Sequence, residues 1–197
     1  MTARWLVDEV APHRDLHITW QPISLLFKNE PAEDSRWYQP NLFTHKLLRV
    51  MEAARAGGGE DAVFPLYWEY ARRIHHERQD TFDPSAALEA VGLDRGLVTA
   101  FDDPSWDDEI RRRMGVGLDL AGTDIGTPII AMDDAAGDRT AIFGPVITRV
   151  PPTAESLAIW DSVVTLTTSA GFWELKRART EPPEFPASPQ ITPFSGQ

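Results

Sequence analysis

Apolar and polar positions along the chain follow two rhythms. Ala3, Leu6, Val7 and Val10 recur at i, i+3, i+4 and i+7, the face of an amphipathic helix. Thr2 is the one N-cap candidate ahead of it, and Pro12 ends it. Leu16, Ile18 and Trp20 then alternate with His17 and Thr19, which predicts a strand with one buried face, stopped by Pro22. Ile23 to Leu26 leads into Lys28-Asn29-Glu30, where Asn29 reads as a turn residue after an apolar run. Pro31 to Pro40 is polar and loop-like. The helical rhythm returns in Phe43, Leu47, Val50, Met51 and Ala54, and Gly57-Gly58-Gly59 halts it. Val63, Tyr67, Tyr70 and Ile74 mark the next helix, with Pro65 tolerated in its first turn. Asp83-Pro84 and Asp103-Pro104 each place a capping carboxylate before a proline suited to the first helical position. The first opens a short helix closed by Gly92; the second precedes the face Trp106, Ile110, Met114, Gly117 and Leu118, which ends at Gly122.

The rhythm then changes. Asp124 to Thr127 reads as a turn, Pro128 as the entry to a strand, and Ile129 to Met132 as the strand itself. Gly126 is expected to supply backbone angles closed to other residues. Pro128 bars the right-handed helical region at Thr127 and donates no hydrogen bond. Asp133 to Asp138 is a turn cluster, and Arg139 to Phe143 a returning strand closed by Gly144-Pro145. Pro151-Pro152-Thr153 opens a helix whose face is Leu157, Trp160 and Val164. After a break over Thr165 to Gly171, Phe172 to Arg177 predicts a last short helix. The tail from Glu181 holds five prolines in seventeen residues and is expected to be extended.

Composition narrows the classes. A chain of 197 residues is one domain, or one domain with an insertion, and 42% hydrophobic content with seven Trp supports a sizeable core. The net charge of −11 argues against a nucleic-acid partner. No apolar run approaches about 18 residues, so no membrane partner is expected. Asp8 and Glu9 come too early for a secretory signal, and a cytoplasmic location is expected. The absence of cysteine excludes disulfides, thiolate metal sites and a cysteine nucleophile within these residues.

Other chemistry is thinly represented. His13, His17 and His45 have no ligand spacing around them. His75 and His76 diverge by about 100° on a helix. The acids Asp102, Asp103, Asp107, Asp108 and Glu109 do not follow a calcium-loop spacing and sit at a helix start, where they complement the dipole. No metal is therefore expected. Gly57-Gly58-Gly59 lacks the Lys-Ser/Thr of a phosphate loop. Ser24 has no Gly-x-Ser-x-Gly context and no ordered acid partner in the sequence. Trp37, Tyr38, Tyr67 and Trp68 read as core, with an aromatic ligand pocket as the alternative. No catalytic residue is assigned within the chain.

The order of elements is helix, strand, helical stretch, proline hairpin and C-terminal helices. Within it stand Thr2-Ala3-Arg4-Trp5-Leu6, Ser24-Leu25-Leu26-Phe27-Lys28-Asn29-Glu30, Arg73-Ile74-His75, Gly126-Thr127-Pro128 and Phe143-Gly144-Pro145-Val146. A longer block runs Phe172-Trp173-Glu174-Leu175-Lys176-Arg177-Ala178-Arg179-Thr180-Glu181-Pro182-Pro183. On these the chain resembles the DsbA-like thioredoxin-fold oxidoreductases with a helical insertion, nearest the mycothiol-dependent nitroreductase type. The resemblance implies an α/β, thioredoxin-like fold with an all-helical insertion and with the first strand missing from this chain. It divides the chain into a thioredoxin-like part at 1–30, a helical lid at 31–121, the second thioredoxin-like part at 122–180 and a proline-rich tail at 181–197.

In that family a Cys-Pro-x-Cys motif, or a one-cysteine variant, precedes the segment that matches Thr2-Ala3-Arg4-Trp5. The catalytic cysteine is therefore expected upstream of Met1, on a strand, loop and helical turn of roughly 15–25 residues. The resemblance also implies a cis Thr127–Pro128 bond. Gly126, Thr127 and Pro128 would form the substrate-binding loop, Asn29 would line the site and His75 would belong to the lid. No cofactor is expected to be bound. Mycothiol or a similar small thiol is the implied co-substrate, with a disulfide or a small electrophilic aromatic as substrate. A homodimer through an exposed sheet edge is a further expectation. Two alternatives stay open: an enzyme like 2-hydroxychromene-2-carboxylate isomerase or kappa-class glutathione transferase, and a non-catalytic thioredoxin-fold binding module.

Overall fold

The computed structural model describes residues 1–186. It is mixed α/β, mostly helical, with a two-stranded sheet. The chain divides into two compact units, Met1–Leu16 with Val116–Phe185, and His17–Gly115. Among the described residues no helix is long and apolar enough to cross a membrane.

The first unit begins with α1 (Thr2–Trp5), which widens into a π-helical turn over Leu6–Val10 and tightens to a 3-10 turn at Ala11–His13. The widened turn differs from the regular helix expected there. It sets Trp5 and Val10, five residues apart and both fully buried, on one face. Trp5 packs against Trp160 of α7 (Thr153–Thr167), with ring centroids 6.2 Å apart. Burying an aromatic pair of this size is worth several kcal/mol, about 25 cal/mol per Å² of apolar surface. Thr153 Oγ1 and Glu9 Oε2 lie 2.6 Å apart in a hydrogen bond, and Arg14 pairs with Asp161 at 2.7 Å, so polar contacts frame the apolar seam.

The hairpin joins β1 (Ile129–Asp133) to β2 (Arg139–Phe143), antiparallel, with Ile129 opposite Phe143 and Asp133 opposite Arg139. Its turn is built by Asp134, whose Oδ1 accepts from the N–H groups of Ala136 and Asp138 at 2.8 and 2.9 Å. Gly137 completes the turn at φ 89, in the left-handed region that glycine enters freely. Within the strands every residue but the two at the turn and Phe143 is half-buried.

Two expected elements of the sequence reading are corrected here. Leu16 to Trp20 keeps its alternation, with Leu16, Ile18 and Trp20 half-buried and His17 and Thr19 exposed, but it forms no strand. Alternation chooses which side chains turn inward; a ladder also needs a neighbour for the N–H and C=O groups, and among the described residues none pairs with this segment. Phe172 to Arg177 is likewise not helical. The hydroxyls of Thr165, Thr167, Thr168 and Ser169 all bond to carbonyls four residues back, α7 ends in that cluster, and Gly171 follows at φ 82. Six residues beyond such a stop are too few to sustain a helix unless they bury a face, and Trp173 is 88% exposed.

The second unit is helical. It holds α2 (Leu25–Asn29), α3 (Tyr38–Gly58), α4 (Val63–Ala71), α5 (Pro84–Ala90) and the start of α6 (Asp107–Ala121), with 3-10 turns between them. The punctuation read from the sequence operates as expected. Asp83 and Asp103 accept from the N–H groups of Ser85 and Ser105, each at 2.9 Å, ahead of Pro84 and Pro104. Gly59, Gly92 and Gly122 stand past helix ends with positive φ. Leu47, Val50, Val63, Leu66 and Leu88 centre the core, which Phe43, Phe82 and Phe101 extend by edge-on ring contacts. The α2 helix was not anticipated, because a five-residue helix offers too little sequence to show a period. Residues 181–186 of the proline-rich tail are described and are not in regular structure; the rest of that tail lies outside the described residues.

Candidate functional site

In the first unit the site candidates gather on two proline corners. The Thr127–Pro128 peptide is cis, and so is Gly144–Pro145, which the sequence marked as the end of the returning strand but not as a cis bond. The two corners are tied together, since the Gly144 N–H donates to the Pro128 carbonyl at 2.8 Å just beyond the Ile129–Phe143 pair. Thr2, in the first turn of α1, donates its hydroxyl to the Pro145 carbonyl at 2.8 Å. One chain of hydrogen bonds therefore runs from the start of α1 through Pro145 to the Pro128 corner. Thr127 stands exposed on that corner beside exposed Gly126.

Gly126 does not use the left-handed region expected of it. A Cβ there would stand 3.4 Å from Cε2 of Phe143 and 3.6 Å from Cζ, an ordinary contact, so neither backbone angle nor space demands glycine at this position. The corner thus presents backbone amide and carbonyl groups on a rigid frame next to an aromatic ring. Such a surface suits an extended substrate that pairs with backbone.

Asn29 and His75 belong to the second unit and stand on different elements there. Asn29 is the last residue of α2 and is exposed; Glu30 follows at φ 43 and ends the helix in a left-handed cap. His75 is exposed in a π-helical turn, Arg72–His76, that continues α4. That turn is braced by Glu69, which is buried and receives Arg72 at 2.8 Å and Arg73 at 2.7 Å. Burial alone would raise the Glu69 carboxyl; the two guanidinium groups outweigh it and hold the carboxyl below its ordinary range.

The same unit contains a constellation that sequence reading missed. Ser24 Oγ lies 3.0 Å from Nδ1 of His45, and Nε2 of His45 lies 3.0 Å from Oδ1 of Asp107. Asp107 is in turn held by Arg49 through Nε at 2.6 Å and Nη2 at 2.9 Å. The expectation that Ser24 has no ordered acid partner is thereby corrected: His45 connects it to one. The members are 21 and 62 residues apart in the chain, and no local pattern announces them.

The arrangement is not a nucleophilic triad. Ser24 is 1% exposed, and its oxygen already accepts from the Phe27 N–H as the cap of α2. Desolvation by burial lowers the proton affinity of His45, against the attraction of Asp107. For Asp107, burial opposes ionisation, but Arg49 and His45 outweigh it and the carboxyl titrates below its usual range. Of the acidic cluster, Asp102 pairs with Lys46 at 2.6 Å, Asp103 caps a turn, and Asp107, Asp108 and Glu109 occupy the first turn of α6.

The geometry of the first unit, an exposed threonine on a cis-proline corner leading into a hairpin, is accompanied by a family match. The matching model is that of the Rv2466c-like family, described as mycothiol-dependent nitroreductase Rv2466c, and the match covers residues 1–177. That description names a thiol-dependent oxidoreductase. With nearly its whole length matched, the chain belongs to the Rv2466c-like family.

Proposed function

We propose that this chain forms most of a cytoplasmic, thiol-dependent oxidoreductase of thioredoxin-like, DsbA-type fold. Its electrons come from mycothiol or a related small thiol, and its substrates are disulfides or small electrophilic aromatics. The observation that carries the reading is the exposed Gly126-Thr127-Pro128 corner, fixed by the Gly144–Pro128 hydrogen bond, in a member of a mycothiol-dependent family. In this reading residues 31–121 are the helical insertion, and residues 1–30 and 122–180 the thioredoxin-like parts. Thr127 pairs through its backbone with the bound thiol or disulfide. Asn29 and His75 contact the substrate, a role that rests on the family resemblance.

The chemistry is thiol exchange. A thiolate attacks one sulfur of a disulfide, a new S–S bond forms as the old one breaks, and the departing thiolate takes a proton. No sulfhydryl is present in these 197 residues, so a protein thiolate must come from outside them. We propose that it is carried by the same polypeptide or by a partner thiol protein.

The test titrates the isotope-labelled 197-residue chain with the disulfide form of mycothiol. Saturable shifts are expected at the amides of Gly126, Thr127 and Ile129, without turnover of a nitroaromatic. Shifts elsewhere only would remove the proposed binding corner. Thiol-dependent turnover by this cysteine-free chain would contradict the need for a protein thiolate.

A further inference from the structure

The Ser24–His45–Asp107 chain does more than fill the interior of the second unit. It ends on α2, and α2 depends on it at two points. Ser24 caps the helix through the Phe27 N–H at 3.2 Å while it bonds to His45 at 3.0 Å. The Phe27 ring lies against the imidazole, centroids 4.3 Å apart, and the Arg111 guanidinium sits 3.5 Å from the Phe27 ring centroid. One assignment of protons satisfies every group, inferred from the network itself. The ring is neutral, Nε2–H donates to Asp107, and Nδ1 accepts the Ser24 O–H. The Ser24 oxygen is then free to accept from Phe27.

A second ring proton breaks this scheme. Nδ1 becomes a donor aimed at Ser24, whose oxygen must then receive two N–H groups while its own hydrogen loses its acceptor. The charged groups acting on the ring are Asp107, which favours the cation, and Arg49 and Arg111, which oppose it. From α2 the ring meets Ser24 and Phe27. The imidazole is 1% exposed, so the cation gains little from water unless the helix above it moves.

We propose that His45 is a proton-operated latch on α2, which fastens the helix through Ser24 and Phe27 when neutral and lets it open when protonated. Asn29, at the far end of α2, moves with it. Only the consequence for Asn29 as a substrate contact rests on the proposed function; the latch stands without it. Opening restores the ring to the ordinary histidine value of about 6.5. Below that value each pH unit therefore favours the open form by about tenfold, as one-proton linkage requires.

Hydrogen exchange on the full chain, followed by NMR from about pH 7.5 to about pH 5 across the histidine range, tests this. The reporters are the α2 amides of Phe27, which is bonded to Ser24 Oγ, and Glu30, which is bonded to the Leu26 carbonyl. The expected result, after correction for intrinsic exchange, is a loss of protection of about tenfold per pH unit below about 6.5 in the native chain. His45→Gln should flatten that dependence. The Val50 amide of α3, in the core and open only on global unfolding, should stay far better protected than the α2 amides at every pH.

If H45Q does not fold, the ring nitrogen shifts of His45 in the native chain serve instead. They should report the Nε2–H tautomer at neutral pH, and a protonated ring in step with α2 opening. Protection of α2 that ignores pH, pH dependence that survives in H45Q, an Nδ1–H tautomer, or α2 amides as well protected as Val50 would each overturn the latch. None of these readouts involves turnover, so failure of the oxidoreductase reading leaves them intact.

Discussion

Glu52 shows what a single residue carries in the helical unit. Its carboxylate is almost wholly buried, and Oε2 receives Arg55 Nε and Arg113 Nε at 3.0 Å each. Arg55 also reaches Glu60, so the two cations are held by shared acids. Replacing such a pair by apolar groups can be harmless, but deleting one partner strands the others. Glu52→Gln should therefore destabilise the protein by about 3 kcal/mol. A shift of the urea midpoint with unchanged slope would register it, and a midpoint within error of the parent would contradict the account.

Titration at this scale has a defined sign. The native carboxyls of Glu69 and Asp107 titrate below their ordinary values, so the unfolded chain binds protons first on acidification. Their contribution is complete above about pH 4 and is lost as pH falls through the lower native values. His45 works the same way from a higher start: burial lowers its native affinity, the unfolded ring is protonated first, and stability begins to fall below about pH 6.5. Unfolding midpoints measured against pH should be level above neutrality, decline below about 6.5 and decline again below about 4. A midpoint that stays level through the histidine range would contradict the first stage.

Among the elements, the least supported is the segment after α7. Trp173 is 88% exposed and Leu175 is 74% exposed, on a stretch without regular structure. Trp173→Ala should accordingly change stability by no more than about 0.5 kcal/mol, as for surface positions generally. A loss of several times that in thermal or urea unfolding would mean that the ring is buried in solution.

The same segment shows where sequence reading stops. Helix ends were legible because their causes are local: Asp83, Asp103, Gly59, Gly92 and Gly122 act within a few residues of themselves. The hairpin was legible because Pro128 and the Asp134 turn enclose a short apolar run. Leu16 to Trp20 was misread because its pattern says which side chains face inward and nothing of a neighbouring strand. The Ser24–His45–Asp107 chain was invisible because it spans separations of 21 and 62 residues, set by how α2, α3 and α6 pack.

At the scale of the whole molecule, a thiol-dependent family is joined to a chain of 197 residues with no cysteine. Its net charge of −11 favours solubility and does not bear on this contrast. Under the proposed function the reacting thiol lies outside these residues. The decisive measurement is the intact mass of the protein purified from its source cells, before and after thiol alkylation. A thiol carried by the same polypeptide predicts a mass above 22.0 kDa with at least one alkylated cysteine. A mass of 22.0 kDa with no alkylation would contradict it and leave a thioredoxin-like binding module without a thiol of its own.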